Sequence, residues 1–83
     1  MLKVLSDAKQ RVVGTKQVLR AIEESEATLV FLAEDADSML KQKVKDACAA
    51  RGIAVEPVYT MQALGVACHI QVGAATAALL KND

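Results

Sequence analysis

One uninterrupted apolar run, "TLVFLA" at residues 28–33, limits the possible folds of this chain more than any other segment. Six residues suit a strand and are too few for a typical helix, and apolar and polar positions do not alternate along them. A strand without alternation is buried on both faces, so other structure has to cover each side of its sheet. We therefore predict a central sheet with helices packed on both faces.

Helix and strand patterns alternate before this strand. A short helix is predicted from Ser6, as its N-cap, to about Arg11, followed by a brief strand at residues 12–13. The next helix is expected to have Thr15 as its N-cap. Its apolar face at helical spacing comprises Val18, Leu19 and Ile22.

The same alternation continues after the buried run. Asp37 is the predicted N-cap of a helix that extends to Arg51, and Gly52 follows where a left-handed C-terminal residue is expected. The apolar stripe of this helix comprises Met39, Leu40, Val44, Ala47 and Cys48.

Two further strands and one helix complete the pattern. "IAVEPVY" at residues 53–59 is a strand that Pro57 assigns to a sheet edge, because proline cannot donate to a ladder. Thr60 should cap a helix over residues 61–68. "IQVGAATAALL" at residues 70–80 is predicted as the last strand, with a helix as the alternative for its alanines. Strands that alternate with helices indicate an α/β sandwich with helices on both sheet faces.

Length and composition favour one domain over residues 1–83. A chain of 83 residues is close to the size at which a single core gives only marginal stability, so a second domain or a deep cleft is not expected. Hydrophobic residues make up 53% of the chain but aromatic residues only 2%. The core must therefore consist of aliphatic side chains and alanine, which pack closely and enclose little pocket volume.

The sequence predicts a cytoplasmic protein without a membrane span. No apolar run approaches the roughly 18 to 20 residues that a span needs, and no basic and then apolar leader precedes a cleavage site. Cys48 and Cys68 lie far apart, in predicted helices, and lack metal-ligand spacing. This pattern favours reduced thiols in the core.

Charge is balanced overall but uneven along the chain. Ten basic and ten acidic side chains cancel, which alone would argue against a nucleic-acid partner. Residues 1–20 nevertheless carry five basic side chains and one acidic one, whereas all six charged side chains of residues 21–37 are acidic. One part of the surface is therefore expected to be basic although the net charge is zero.

The stretch Gly14-Thr15-Lys16 has the composition of a phosphate-binding loop but not its spacing. A nucleotide P-loop needs a glycine at position 9, which is lysine, and the order Gly-Lys-Thr. The backbone N–H groups of a helix start still attract phosphate, and Lys16 and Arg20 lie one turn apart on one exposed face. On these residues alone, a helix start with a solvated basic face is the favoured interpretation.

No catalytic or metal-binding pattern is convincing. Glu34, Asp35 and Asp37 follow the buried strand without a histidine or metal-ligand pattern nearby, so loop and capping roles are favoured. Cys68 and His69 resemble a nucleophile and a base, but neighbours at a helix end do not face each other. We expect a protein that is not an enzyme and that needs no cofactor or metal.

Base stacking on aromatic side chains is not favoured by the sequence. Only Phe31 and Tyr59 are aromatic, and Phe31 lies in the predicted core strand. The sequence instead offers backbone N–H donors at a helix start, basic side chains and an apolar loop. These groups are better suited to binding a folded RNA than an unstructured single strand.

Three segments in this order and spacing resemble a known family: "GTKQVLRAIEE", "LVFLAEDAD" and "LGVACHIQVGAA". They are similar to the kink-turn-binding ribosomal protein superfamily, the large-subunit L7Ae and L30e group with its short bacterial members. The similarity extends from about Lys3 to Leu80. It implies a three-layer α/β/α sandwich with a mixed four-stranded sheet, and it implies binding to structured RNA that contains a kink-turn.

The resemblance also implies two RNA-contacting segments. The stretch from Gly14 to Arg20 would enter the RNA groove beside sheared G·A pairs, where guanine edges offer acceptors and donors. The loop after the fourth helix would cover the bulged nucleotide, with Ile70 and Val72 packed on its base or sugar. Glu34 would bond to backbone or to Lys16. The implied RNA-binding residues are Gly14, Thr15, Lys16, Gln17, Arg20, Asp35, Cys68, His69, Ile70, Gln71 and Val72.

This chain departs from the family pattern at four of these positions. Lys16 and Gln17 stand where archaeal members carry Asn and Glu, His69 replaces a common glycine, and Gln71 replaces a common glutamate. A lysine ammonium still donates to guanine O6 and N7, and a glutamine oxygen still accepts from guanine N–H groups. Because this acceptor is uncharged, we expect affinity lower than that of archaeal relatives by about 1 to 2 kcal/mol.

Two classes of function remain after this comparison of motifs. The first is a monomeric RNA-binding module that acts on kink-turn RNA, with the ribosome among its candidate partners. The alternative is a protein-protein interaction module on the same fold, since fold does not determine function. Gly14 and the basic face of Lys16 and Arg20 favour RNA.

Overall fold

A computed structural model describes residues 2–81, which form one four-stranded sheet and four helices. The helices are α1 (Leu2–Asp7), α2 (Thr15–Glu23), α3 (Ser38–Arg51) and α4 (Met61–Ala67). The strands are β1 (Arg11–Val13), β2 (Ala27–Ala33), β3 (Ala54–Val58) and β4 (Thr76–Leu80).

The sheet is mixed, with the strand order β1-β4-β2-β3. β2 pairs with β3 in parallel, whereas β4 is antiparallel to both β1 and β2. The strands β1, β2 and β3 therefore all run in the same direction. Their carboxyl ends and the amino end of β4 share one end of the sheet, which we call the upper edge.

Helices cover both faces of the sheet, as the buried run predicted. Phe31 and Ala33 point to the layer of α1 and α4, where Leu5 and Leu64 are fully buried. Val30 and Leu32 point to the layer of α2 and α3. The three-layer α/β/α sandwich with a mixed four-stranded sheet is therefore confirmed.

Several predicted element boundaries are also confirmed. α3 begins after Asp37, whose carboxylate accepts hydrogen bonds from two backbone N–H groups, and it ends at Gly52 with φ 67°. Thr60 caps α4 by accepting a bond from the N–H of Ala63 at 3.0 Å. β3 lies at an edge of the sheet, as Pro57 indicated.

The predicted helix from Ser6 to Arg11 is wrong. α1 spans Leu2–Asp7, so Ser6 lies in its last turn and does not cap it. Burial of Leu5 against the α4 layer places the helix earlier in the chain. Arg11, the predicted end of the helix, is the first residue of β1.

Two predictions were wrong in detail. The last strand is shorter than residues 70–80, because loop N–H groups before Thr76 bond to carbonyls of α4 and not to a neighbouring strand. Met39 was assigned to the buried stripe of α3 but is 83% exposed. It occupies the first turn of that helix, directly after the capping residue.

Both cysteines are free and buried, in agreement with the prediction of core thiols. Burial raises the pKa of the Cys48 thiol and of the Cys68 thiol, and the nearby Arg11 guanidinium offsets part of the rise in the pKa of Cys68. Within residues 2–81, no helix is both long and apolar enough to cross a membrane.

Replacing Asp37 by alanine should destabilise the protein. Asp37 Oδ2 accepts from the N–H groups of Met39 and Leu40, each at 3.1 Å, and loss of an N-cap costs about 1 kcal/mol. Urea unfolding followed by circular dichroism should show a lower midpoint. Lys43→Ala, at an exposed site inside the same helix, is the control and should change the midpoint little. Equal midpoints for wild type and Asp37→Ala would contradict this role.

Candidate nucleic-acid interface

The sheet topology brings the sequence-predicted site residues to the upper edge. Gly14 follows β1, Asp35 follows β2, and the loop of residues 68–75 leads into β4. Backbone hydrogen bonds join these segments: Gly14 N–H donates to Thr76 O at 3.0 Å, and Ala33 N–H donates to Ala75 O at 2.8 Å. These two bonds therefore join, at this edge, residues that are 62 and 42 positions apart in sequence.

The start of α2 depends on a glycine. Gly14 is the N-cap, with φ 104° and ψ 150°, and its carbonyl accepts the first helical bond from Val18 N–H at 2.9 Å. Thr15 was predicted to be the N-cap, but it is the first residue of the helix and makes no side-chain capping bond. The positive φ at position 14 is the reason, because glycine adopts it without strain.

Lys16 and Gln17 are exposed on the first turn of α2. Within residues 2–81, the ammonium group of Lys16 has neither an ion pair nor a hydrogen bond. Gln17 folds back towards the cap, since a Cβ built on Gly14 would lie 2.9 Å from Gln17 Oε1. A side chain at position 14 would therefore both strain the backbone and displace Gln17.

Arg20 continues this exposed row one turn further along α2. Its Nε atom lies 3.6 Å from Glu24 Oε2, and the two side chains are 79% and 58% exposed. A solvated pair of this kind contributes little to stability, and the terminal guanidinium nitrogens stay available as donors.

The loop after α4 folds back on that helix. Ile70 N–H donates to Gly65 O at 3.1 Å, and Ala74 N–H donates to Met61 O at 3.0 Å. A Cβ on Gly65 would lie 2.2 Å from Val72 O, so only glycine permits this approach. The loop is therefore held in one shape by contacts with the backbone of α4.

The side chains of this loop differ in their exposure. The Cys68 thiol is buried, Ile70 is half-buried, and His69 and Gln71 are exposed. Val72 is 71% exposed. The loop thus presents Val72 and part of Ile70 as an apolar surface beside polar groups.

Contacts from α1 and its following turn hold the start of this loop. His69 has φ 62°, and its Nε2 lies 2.8 Å from Ser6 O and 3.1 Å from Ser6 Oγ. Because a carbonyl only accepts, Nε2–H is the donor to Ser6 O. Arg11 donates to Ala8 O at 2.8 Å and to Cys68 O at 3.2 Å. The Nε2 atom of the His69 ring is thus bonded to Ser6 of α1, and no hydrogen bond joins this ring to the Cys68 thiol among residues 2–81.

The acidic loop after β2 has structural contacts. Asp35 Oδ1 accepts from Met61 N–H at 2.8 Å, which ties this loop to the start of α4. Glu34 bonds through its main chain: its N–H donates to Val58 O and its carbonyl accepts from Lys41 Nζ, each at 2.8 Å. The expected bond between Glu34 and Lys16 is not among the ion pairs of residues 2–81.

No metal site is apparent in the part of the chain that the structure describes. Among residues 2–81, no group of three or more His, Cys, Asp and Glu side chains could hold a metal ion.

Gly65 and Arg11 were missed as contributors to this site. Gly65 had a sequence signal, because a glycine inside a helix is less favourable than alanine and often marks a close backbone approach. The carbonyl partners of Arg11 are 3 and 57 residues away, and the distant one is fixed only by the tertiary fold.

The family model described as the ribosomal protein L7Ae/L30e/S12e/Gadd45 family matches residues 1–83. The chain belongs to this family. It is 49% identical over 79 residues to the RNA-binding protein YbxF of Geobacillus stearothermophilus, a match that covers 95% of both chains. It is also 35% identical over 80 residues to the large ribosomal subunit protein eL8 of Halobacterium salinarum, covering 95% of this chain and 67% of that protein.

Solved structures agree with this assignment. The 15.5 kD RNA-binding protein of Giardia lamblia has a TM-score of 0.87 at 26% identity, with 99% of this chain and 69% of that chain covered. A Bacillus halodurans protein of unknown function has a TM-score of 0.85 at 30% identity, with 96% and 80% covered. The predicted family is therefore confirmed.

Replacing Gly65 by alanine should displace the loop of residues 68–74. The new Cβ would lie too close to Val72 O, and the hydrogen bonds donated by Ile70 and Ala74 should be lost. Amide hydrogen exchange should then be faster at Ile70 and Ala74. Gly52→Ala is the matched control, because a Cβ there meets nothing within 4 Å and adds only backbone strain far from the loop. Unchanged protection at both amides in Gly65→Ala would contradict the packing described here.

Proposed function

We propose that this protein is an RNA-binding protein that recognises kink-turn RNA through the upper edge of its sheet. One observation carries the proposal: in a chain of this family, the helix start at Gly14 is bonded to Thr76 at the amino end of β4, the strand into which the loop containing Cys68–Val72 leads. The names of the Geobacillus and Giardia relatives, which describe those proteins as RNA-binding, support it.

The first part of the site supplies donors and an acceptor for guanine edges. The exposed ammonium of Lys16 donates to guanine O6 and N7, and the Gln17 carboxamide oxygen accepts from guanine N1–H or N2–H. Arg20 donates to a guanine or to a phosphate. Thr15 supplies a backbone N–H group that faces the RNA at the helix start, and Gly14 sets the backbone conformation of that start.

The second part of the site supplies an apolar contact for a nucleotide that is not stacked in a helix. Val72 and the exposed part of Ile70 pack on the bulged base or its sugar, and His69 and Gln71 flank them with polar groups. Cys68 takes part through the backbone of the loop, because its thiol is buried. Asp35 keeps one carboxylate oxygen for an RNA contact while the other binds Met61 N–H.

Binding in this proposal acts by selection of the bent RNA. A protein surface of fixed shape binds the kinked conformation better than the extended one and therefore shifts the RNA population towards it. The protein has no catalytic role, needs no cofactor, and acts as a single domain and a monomer in the cytoplasm. The ribosome and other structured RNAs are the candidate places of action.

A titration of the protein into fluorescent kink-turn RNA at 0.1 M salt tests this function. We expect binding with bending of the RNA, and loss of both when the sheared G·A pairs are replaced by Watson–Crick pairs, since the guanine N1–H and N2–H groups proposed to donate to Gln17 are then used in base pairing. Equal binding to both RNAs, or binding to neither, would contradict kink-turn recognition. The protein-protein interaction module on the same fold would then be the leading alternative.

Replacing Lys16 or Gln17 by alanine should weaken binding by about 1 to 3 kcal/mol each and reduce discrimination between the two RNAs. Lys43→Ala is the matched control, because Lys43 is exposed on α3 and lies outside the proposed site. Unfolding midpoints should not change, since both side chains are exposed on the first turn of α2. If Lys16→Ala loses no more RNA affinity than Lys43→Ala does, base recognition by this helix start would be contradicted.

A further inference from the structure

Tyr59 is the most exposed large hydrophobic side chain of the described residues, at 84%. The other aromatic residue, Phe31, is fully buried in the core. With two aromatic residues in the chain, stacking was not favoured from the sequence. The exposed Tyr59 ring is, however, accessible for stacking.

Residue Tyr59 lies at the same end of the sheet as the proposed RNA site. Tyr59 directly follows β3, whose carboxyl end shares the upper edge with those of β1 and β2. The edge strands β1 and β3 are three strand spacings apart, or about 14 Å. A single RNA strand that lies along this edge therefore needs only a few nucleotides to extend from the start of α2 to Tyr59.

The backbone on both sides of Tyr59 is fixed. Val58 is buried and its carbonyl accepts from Glu34 N–H at 2.8 Å. Thr60 caps α4 through the N–H of Ala63, and the next residue, Met61, donates its N–H to Asp35. A tyrosine side chain has two rotatable angles, so a ring on such a rigid base loses little conformational entropy when it binds a partner.

The charges around Tyr59 favour a base over a phosphate. The nearest loop carries the carboxylates of Glu34, Asp35 and Asp37, of which Asp37 and one oxygen of Asp35 are already bonded to backbone N–H groups. Carboxylates repel phosphate but accept hydrogen bonds from base N–H groups. An aromatic face beside such acceptors is suited to an unpaired base.

We propose that Tyr59 extends the RNA-binding surface of this protein beyond the two segments described above, by stacking on an unpaired base next to the kink. This inference rests on the proposed function and adds a contact at the β3 side of the upper edge. The contact is between neutral groups, so it adds affinity without adding to the salt dependence of binding.

The test compares Tyr59→Ala and Tyr59→Phe with wild type on kink-turn RNA labelled with 2-aminopurine at one unpaired or flanking position at a time. Wild type and Tyr59→Phe should quench one of these probes by stacking. Tyr59→Ala should abolish that quenching and weaken binding at least about fivefold, with an unchanged slope of log K against log salt. Tyr59→Leu, which keeps apolar bulk without a ring, should not restore the quenching.

The outcomes separate this inference from the proposed function. Suppose that wild type binds tightly and depends on the G·A pairs, and that Tyr59→Ala shows the same affinity and the same quenching. This result would overturn the stacking contact and leave kink-turn recognition intact. Absence of kink-turn binding by wild type would overturn both. Because Tyr59 is exposed, circular dichroism of all variants should match that of wild type.

Discussion

The burial of β2 on both faces and its pairing on both edges is the constraint on which the rest of the structure depends. β2 takes β3 in parallel on one edge and β4 antiparallel on the other, and its side chains alternate between the two helical layers. Parallel pairing with β3 requires a crossover, which α3 supplies. Because β1 is also antiparallel to β4, the strands β1, β2 and β3 run in one direction and their carboxyl ends meet at one edge.

The upper edge is held in shape mainly by backbone contacts. The loop after α4 approaches Gly65 so closely that a methyl group would not fit, and Arg11 and His69 join the start of that loop to α1. On the other side, Asp35 joins the loop after β2 to the start of α4. A surface made in this way keeps its shape without its partner. Such a surface is suited to selecting one conformation of a flexible RNA.

Regular elements and caps could be predicted because their signals are local. Asp37, Gly52 and Thr60 marked helix ends by chemistry that acts over a few residues, and "TLVFLA" marked the central strand by its length and lack of alternation. Thr15 was wrongly assigned as a cap because a hydroxyl residue is a strong local signal, whereas the positive φ of Gly14 depends on how β1 meets α2. Local pattern was thus sufficient for the fold class but not for each helix start.

The long-range parts of the site could not be predicted from pattern alone. The bond from Arg11 to Cys68 joins residues 57 apart, and that from Asp35 to Met61 joins residues 26 apart. The resemblance to a family supplied the list of contact residues, but it did not indicate that the loop after α4 bonds to the backbone of that helix or that Tyr59 is exposed at the end of β3. Those properties follow from the order and direction of the strands.

In the proposed complex, the upper edge of the sheet, and no other surface of the protein, contacts the RNA. An NMR titration of labelled protein with kink-turn RNA tests it most directly, because each backbone amide reports on its own surroundings. We predict chemical-shift changes at residues 14–20, 34–35 and 68–72, and none at Ser25 or Gly52, which lie at the opposite end of the sheet. Changes centred on Ser25 and Gly52, with residues 14–20 unaffected, would contradict the account.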